Sequence, residues 1–171
     1  MLSALFARLT GSPRRGQAMF QLAVAEARQP RWFIEGEVPD TVNGRFAVLA
    51  TIIALLTIRL EREGVAGEEA SVALTERLVE TLDAEIREMG LGDPTLGKQV
   101  RRLVGAVSGR VDRWRQLVGS SEPWTPEVQQ SLYLDEAPSA DAVNYSESAL
   151  RQLWTKLADS SLDDLVDGRM P

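Results

Sequence analysis

The chain has 171 residues, of which 44% are hydrophobic and 26% charged, enough apolar material for one domain with a substantial core. It contains no Cys and no His, which excludes disulfides, Cys or His metal sites and the thiol or imidazole pairs of nucleophilic enzymes. The net charge of −6 is unevenly spread, because residues 1–62 carry eight Arg against five acids, whereas residues 120–171 carry three basic residues against ten acids. This balance argues against general nucleic-acid affinity but leaves room for a local basic face.

The first eleven residues predict a short amphipathic helix with a basic flank. The apolar stripe consists of Leu2, Leu5, Phe6 and Leu9. The basic residues are Arg8, Arg14 and Arg15. The pattern predicts either a segment that rests on an anionic membrane surface or a helix that covers the core. The sequence shows no secretory leader, so we expect a cytoplasmic protein.

A second helix is predicted from Ser12 and Pro13, as cap and first residue, to about Arg28. The loop of residues 30–43 follows, and it contains the adjacent aromatics Trp32 and Phe33. Adjacent aromatics in a loop are typical either of a plug that pins the loop to the core or of an exposed anchor for a partner. Both residues are therefore candidates for partner binding.

The central helix is predicted over Gly44 to Glu63. Its residues 46–58 are all apolar or Thr and are bounded by Arg45 and Arg59. A membrane-spanning helix needs about 20 apolar residues, so this run is too short and predicts a core helix.

Two long amphipathic helices are predicted next, from Ala66 to Met89 and from Asp93 to about Val118. Gly90 and Gly92 supply the stop between them, and Asp93-Pro94 supplies the cap and first residue of the second helix. Apolar residues at helical spacing give this second helix its core side, namely Val100, Leu103, Val104, Val107, Val111, Trp114 and Val118.

The opposite side of the same helix is basic and contains two glycines. Its residues are Lys98, Arg102, Gly105, Gly109 and Arg113, flanked by Arg101 and Arg110. Each glycine should cost about 1 kcal/mol relative to Ala in a helix interior. The pattern predicts either a solvated face paired with acids of the 66–89 helix, or a docking face for phospholipid headgroups, ribosomal RNA or an acidic protein surface.

The segment Gly92 to Lys98 matches the first seven positions of a phosphate-binding P-loop. Its eighth position is Gln99 where a Mg²⁺-ligating hydroxyl is required, and the preceding segment is an amphipathic helix where a strand is required. We therefore interpret it as a connection between two helices. Paired acids such as Glu68-Glu69 resemble solvated faces and do not predict catalysis.

The C-terminal part predicts a loop over residues 119–145 with one short helix near Thr125–Leu134. A further helix contains Leu150–Leu157, and Ser161 caps a brief one that ends at Gly168. No segment alternates with the period of a strand, so the fold class is all-α. We predict a single-domain bundle of about six to seven helices over residues 1–171, with the N-terminal segment 1–11, a core of 12–118 and an acidic helical region of 119–171.

Several motifs in the chain resemble those of the ubiquinol–cytochrome c chaperone family. They are Arg87-Glu-Met-Gly-Leu-Gly-Asp93 with Leu96-Gly-Lys98, Pro30-Arg-Trp-Phe33, Val38-Pro-Asp-Thr41, and Gly44-Arg-Phe46. The likeness spans roughly residues 20–115, with a fainter echo in the last five residues. The family often has Glu at position 47, His at 52 and an aromatic at 108, where this chain has Ala47, Ile52 and Ser108, so the chain resembles a divergent bacterial member.

The resemblance implies an assembly factor for the cytochrome b-containing reductase, complex III, with no catalytic residue, cofactor or metal. The expected partners are cytochrome b or another membrane-protein client, an anionic membrane surface and the ribosome, and no specific DNA binding is expected. The expected location is the cytoplasm, with a peripheral position on the cytoplasmic face of the inner membrane. The alternative is a peripheral membrane-binding helical module that has no client protein.

Overall fold

The computed structural model describes residues 14–88, 93–134 and 136–171, and in the second of these ranges it describes side chains from residue 97 onward. Within these ranges every regular element is helical, which confirms the predicted all-α class. The α-helices are α1 (Gln17–Ala27), α2 (Val42–Leu60), α3 (Gly64–Glu88), α4 (Asp93–Leu117), α5 (Thr125–Val128), α6 (Ala140–Asp159) and α7 (Leu162–Val166). Shorter elements are the 3-10 turns Pro30–Trp32 and Glu61–Glu63 and the π-helix Gln129–Tyr133.

Helix α2 lies at the centre of the bundle. Thirteen of its 19 residues are buried, and it contacts α1, α3, α4, α6 and the π-helix. Val42–Glu88 contains a window long and apolar enough to cross a membrane by length and composition, but 67% of that window is buried inside the fold. The apolar run therefore serves as the core of the bundle, because four helices and the π-helix already cover it.

The turn into α2 explains two residues of the family motifs. The Thr41 side-chain oxygen accepts a hydrogen bond from the Gly44 backbone N–H at 3.1 Å, so Thr41 caps the helix. A Cβ atom on Gly44 would lie 1.9 Å from the Pro39 carbonyl oxygen, which makes glycine necessary there. The helix begins at Val42 because of this cap, two residues before the predicted start.

The start of α1 differs from the prediction. Residues 12–13 lie outside the described ranges, but residues 14–16 precede the helix, which begins at Gln17. Gly16 has a left-handed φ of 75°, and a Cβ atom there would lie 2.7 Å from the Ala73 carbonyl group of α3. The predicted cap and first residue, Ser12 and Pro13, lie outside the described residues, and the helix begins at Gln17 because residues 14–16 make this left-handed turn against α3 first.

The C-terminal region is joined to the rest of the bundle by a buried cation and a close backbone contact. The buried guanidinium of Arg59 donates to the carbonyl oxygens of Leu157 at 3.0 Å and Ser160 at 2.7 Å. Gly168, with φ 74°, packs so closely on α1 that a Cβ atom would lie 2.7 Å from the Ala18 carbonyl oxygen. The end of the chain therefore packs on its first described helix.

A second junction is made by Tyr133 at the end of the π-helix. Its buried hydroxyl lies 2.6 Å from the Gly36 carbonyl oxygen, 3.1 Å from that of Ala142 and 2.8 Å from Ser146 Oγ. One phenol thus connects the 30–43 loop, the π-helix and α6. The predicted short helix near Thr125–Leu134 is present, as α5 followed by the π-helix.

Candidate partner-binding face

Helix α4 turns its apolar stripe inward and its basic side outward, as the spacing predicts. Val107, Val111 and Trp114 are buried, whereas Val100, Leu103, Val104 and Val118 are half-buried. On the other side Lys98, Arg101, Arg102 and Gly105 are exposed, and Gly109 and Arg113 are half-buried. The basic face is thus a surface of the folded protein.

The three exposed cations near the start of this face have no acidic partner in the part of the chain that the structure describes. Among the described residues, Lys98, Arg101 and Arg102 make no ion pair. The interpretation that acids of the preceding helix neutralise them is therefore wrong for these three residues. In α3, Glu69 and Glu80 pair with the N-terminal Arg15 and Arg14 instead.

Arg110 departs from the prediction, because it does not belong to the exposed face. It is 6% exposed, and its two terminal nitrogens donate to the carbonyl oxygens of Ala106 at 3.1 Å and Ser131 at 2.8 Å. Its position, on the flank between the basic and apolar sides, lets the π-helix cover it. Burial lowers the pKa of Arg110, the charge of Arg113 lowers it further, and the charge of Glu127 raises it.

Arg113 belongs to a polar network between α4 and the segment formed by α5 and the π-helix. Its Nε lies 2.9 Å from both carboxylate oxygens of the buried Glu127, which also accepts a hydrogen bond from the Ser131 hydroxyl. Trp114 Nε1 donates to the same hydroxyl oxygen at 3.1 Å. The network satisfies the buried carboxylate and fixes the π-helix beside α4.

The two aromatic candidates in the 30–43 loop have different positions. Trp32 is wholly buried, and its Nε1 donates to the Glu26 carbonyl oxygen at 3.0 Å, so it is a plug and not an exposed anchor for a partner. Phe33 is half-buried, with the Arg45 guanidinium 5.9 Å from its ring centre. Phe33 therefore stays a prediction as a contact, whereas Trp32 is corrected to a core residue.

The glycines of α4 have no role in internal packing. A Cβ atom added to Gly105 would have no neighbour within 4 Å, and one added to Gly109 would meet Arg113 Nη1 at 3.4 Å. They contrast with Gly16 and Gly44, where a neighbouring backbone leaves no room. Nothing inside the described fold therefore accounts for glycine at 105 and 109.

A groove of about 410 Å³ lies beside these glycines. The sequence did not predict that Gln130 and Leu134 would line it together with α4. It is lined by Gly105, Ala106, Gly109, Arg110, Arg113, Gln130 and Leu134. Leu134 is 51% exposed and has a φ of 55°, a left-handed value that bulky residues rarely adopt. Neither its exposure nor its backbone strain has a signal in the sequence.

The remaining predicted sites lie partly outside the described residues. Leu2, Leu5, Phe6, Arg8 and Leu9 fall there, so their membrane role stays a prediction. Arg14 and Arg15 are exposed and pair with Glu80 and Glu69 at 3.3 and 3.4 Å. Exposed pairs of this kind contribute little to stability.

The apparent P-loop has no phosphate cradle within the described part of the chain. Helix α3 precedes it and α4 begins at Asp93, so residues 93–98 are helical. No cluster of acidic side chains that could hold a metal ion occurs among the residues that the structure describes.

These features define a class of protein: a helical bundle with three exposed cations at the start of one long helix, none of them in an ion pair among the described residues. No curated protein matches the chain. The family model for ubiquinol-cytochrome C chaperones matches residues 35–170, and the chain belongs to this family. The crystal structure of the Cbp3 homolog from Brucella abortus has a similar fold, with a TM-score of 0.75 and 24% sequence identity over 98% of this chain and 94% of that chain.

Proposed function

We propose that this protein is an assembly chaperone for ubiquinol–cytochrome c reductase that holds newly made cytochrome b at the cytoplasmic face of a bacterial inner membrane. The observation that carries the proposal is the family match over residues 35–170. The match covers most of the bundle, including α4 and its basic face. Cytochrome b as client and the membrane as location are the parts that need testing.

Several residues of the family motifs have structural roles inside the fold, so client binding is expected at other, surface residues. Trp32, Thr41 and Gly44 are used inside the fold, as core plug, helix cap and close backbone contact. Residues that build the fold are not free to contact a client. Lys98, Arg101 and Arg102 at the start of α4 have no such internal task among the described residues, and they are the best candidates for contact with another molecule.

Complementation of a deletion strain tests this function, scored by the haem b spectrum and by reductase activity. We expect Arg102→Glu to reduce both signals, and the triple variant with Lys98→Glu and Arg101→Glu to reduce them further. Arg28→Glu is the matched control, because Arg28 is also exposed and makes no ion pair among the described residues. Full complementation by the triple variant would remove the basic face from the mechanism, and a normal reductase level in the deletion strain would overturn the function itself.

Arg113 is unsuitable for charge reversal in this experiment. Charge reversal at Arg113 would leave the buried Glu127 beside a second carboxylate, so it would destabilise the fold as well as the face. The three residues at the start of α4 avoid this complication because they are exposed and unpaired within the described residues.

The alternative, a membrane-binding module without a client, gives a different result in a vesicle co-sedimentation assay. A chaperone of cytochrome b should retain fragments of that protein on the vesicles in a manner that depends on the α4 face. A simple membrane module should bind anionic vesicles equally well with or without the fragments and should retain none of them. Ribosome binding is tested separately by co-sedimentation with purified ribosomes.

A further inference from the structure

We propose that the groove between α4 and the π-helix docks a helical segment of a partner protein that presents a carboxylate beside small side chains. The inference rests on the proposed chaperone function only in that the partner is taken to be a client. It goes further by naming the site and the chemistry of the segment that the site accepts.

Two glycines that lie one helical turn apart on α4 line the groove, and the Arg113 guanidinium lies beside the second of them. Gly105 and Gly109 carry no side chain, and Gly105 has open space where a Cβ atom would be. Small residues at this spacing allow a second helix to approach closely, backbone against backbone. The arrangement costs helix stability within this chain, and a partner helix would use the space that the missing side chains leave.

One residue that lines the groove, Arg110, carries a buried donor without an acceptor among the described residues. Arg110 is 6% exposed, and its Nε has no hydrogen-bond partner among the described residues. A buried guanidinium N–H without an acceptor is unfavourable. The Nε atom is covered by the fold, so a ligand oxygen would reach it only after the Arg110 side chain shifts.

The charge around the groove favours an anionic ligand. Two guanidinium groups, those of Arg110 and Arg113, face a single carboxylate, Glu127. Their mutual repulsion contributes to the lowered pKa of Arg110. A second carboxylate, supplied by a partner, would balance this charge and form the charge-assisted hydrogen bonds that guanidinium groups favour.

The opposite wall of the groove is apolar and strained. Leu134 is half-exposed at a backbone angle that disfavours a side chain, although Gly at this position would remove the strain. A leucine held in this way offers an apolar contact beside the cationic wall. A helix with small residues and one carboxylate matches the two glycines, the leucine and the guanidinium groups together, whereas a lipid headgroup would match only the last.

A binding measurement with the full chain and a designed peptide tests the proposal. The probe is a labelled peptide of about 20 residues, long enough to form a helix, with Ala at i and i+4 and one Glu on the same face. Its matched partner has Gln in place of the Glu. By fluorescence anisotropy at low salt we expect the Glu peptide to bind roughly tenfold or more tightly than the Gln peptide and to weaken as salt is added.

The test variant is Gly105→Leu, which places a large side chain in the groove at a position where an added Cβ atom has no neighbour within 4 Å. We expect it to weaken binding of the Glu peptide by roughly tenfold or more while the melting temperature is kept or raised. Gln152→Leu is the control, because it adds the same side chain to an exposed position on α6 and should leave binding unchanged.

Three results would overturn the proposal: no binding of the Glu peptide, equal binding of the two peptides, or unchanged binding by Gly105→Leu. Vesicles with about one third phosphatidylglycerol in phosphatidylcholine form a further arm. If Gly105→Leu abolishes vesicle binding and leaves peptide binding intact, the groove is a membrane site and the proposal is wrong. Complementation by wild type with failure of the peptide test would reject the groove alone, whereas peptide binding without any reductase defect in the deletion strain would reject the proposed function alone.

Discussion

At the scale of single residues, the glycines fall into two kinds, those that the fold requires and those that it does not. Some lie where a neighbouring backbone or a left-handed angle excludes any side chain, as at Gly16 and Gly168. Others lie in open space on a helix, as at Gly105. The first kind is explained by the fold, and the second kind needs an explanation outside it.

We expect Gly105→Ala and Gly109→Ala each to raise the free energy of unfolding by roughly 0.4–1 kcal/mol, because Ala restricts the unfolded chain and fits the folded helix. The same substitution at Gly16 or Gly168 should lower it, since a Cβ atom there would lie 2.7 Å from a backbone oxygen. Urea unfolding of the four variants measures the difference. Destabilisation by Gly105→Ala would show that the helix needs glycine at that position for its own folding.

Tyr133 is the second residue whose role can be measured, because its hydroxyl joins three segments. Tyr133→Phe should lower the free energy of unfolding by about 1–3 kcal/mol, since buried oxygen atoms of Gly36 and Ser146 lose a partner. Tyr145→Phe is the matched control, because no hydrogen bond of the Tyr145 hydroxyl occurs among the described residues. Chemical unfolding of both variants at neutral pH provides the comparison.

The same phenol predicts a loss of stability at alkaline pH. Burial raises the pKa of Tyr133 above the usual value of 10.0, although its hydrogen bond with Ser146 opposes the shift. A group with a raised folded pKa contributes stability that is fully present below the unfolded pKa and is lost as the pH rises through the folded pKa. Wild type should therefore lose more stability above pH 10 than Tyr133→Phe does, and parallel curves for the two proteins would contradict the assignment.

At the scale of elements, the beginning of α4 matches a sequence motif but does not have the structure that the motif usually forms. Residues 92–98 resemble a nucleotide-binding loop, but residues 93–98 form a helix that follows another helix. A helix directs its backbone N–H groups along its axis, so it cannot surround a phosphate as a glycine-rich loop does.

We therefore expect no measurable ATP affinity in wild type, with Mg²⁺ present, and no change in Lys98→Ala. Isothermal titration calorimetry at millimolar ATP is the measurement. A micromolar dissociation constant in wild type that is lost in Lys98→Ala would show that the segment rearranges into a nucleotide-binding loop.

The helical elements themselves could largely be predicted, because their apolar spacing is regular and their ends carry caps. The observed bounds of α4 and α7 agree closely with the predicted ones, since Asp93-Pro94 and Ser161 are strong start signals. The start of α1 could not be predicted, because it depends on the contact of Gly16 with α3 and not on any local signal. The burial of Arg110 and the groove at Leu134 are tertiary features of the same kind.

At the scale of the whole molecule, the acidic C-terminal helices pack in the same bundle as the more basic helices that precede them. Family resemblance in the sequence indicated the class of protein, and the family match and the fold agree with it. The candidate partner-binding face could not be predicted in full from the sequence, because the described residues of the family motifs mostly build the core. The positions of Arg110 and Arg113 depend on how α5 and the π-helix pack against α4.

The N-terminal segment gives a prediction at this scale. Deletion of residues 1–11 should lower binding to anionic vesicles and shift the melting temperature little, because its apolar stripe is short and is followed by Gly11 and Pro13. Vesicle co-sedimentation and thermal unfolding measure the two effects. A large fall in the melting temperature would instead assign Leu2, Leu5 and Phe6 to the core.

The contacts of Arg59 and Gly168 also bear on how the protein is made. Arg59 belongs to the central helix, yet its carbonyl acceptors at Leu157 and Ser160 are synthesised about a hundred residues later, and Gly168 meets Ala18 across most of the described chain. Until those residues have been made, the Arg59 guanidinium has, among the described side chains, only the nearby Glu63 carboxylate as a partner, so we expect the native bundle to form only after residues 157–168 have left the ribosome. A nascent copy would then be inactive, and only finished molecules would be available to assist the biogenesis of another protein.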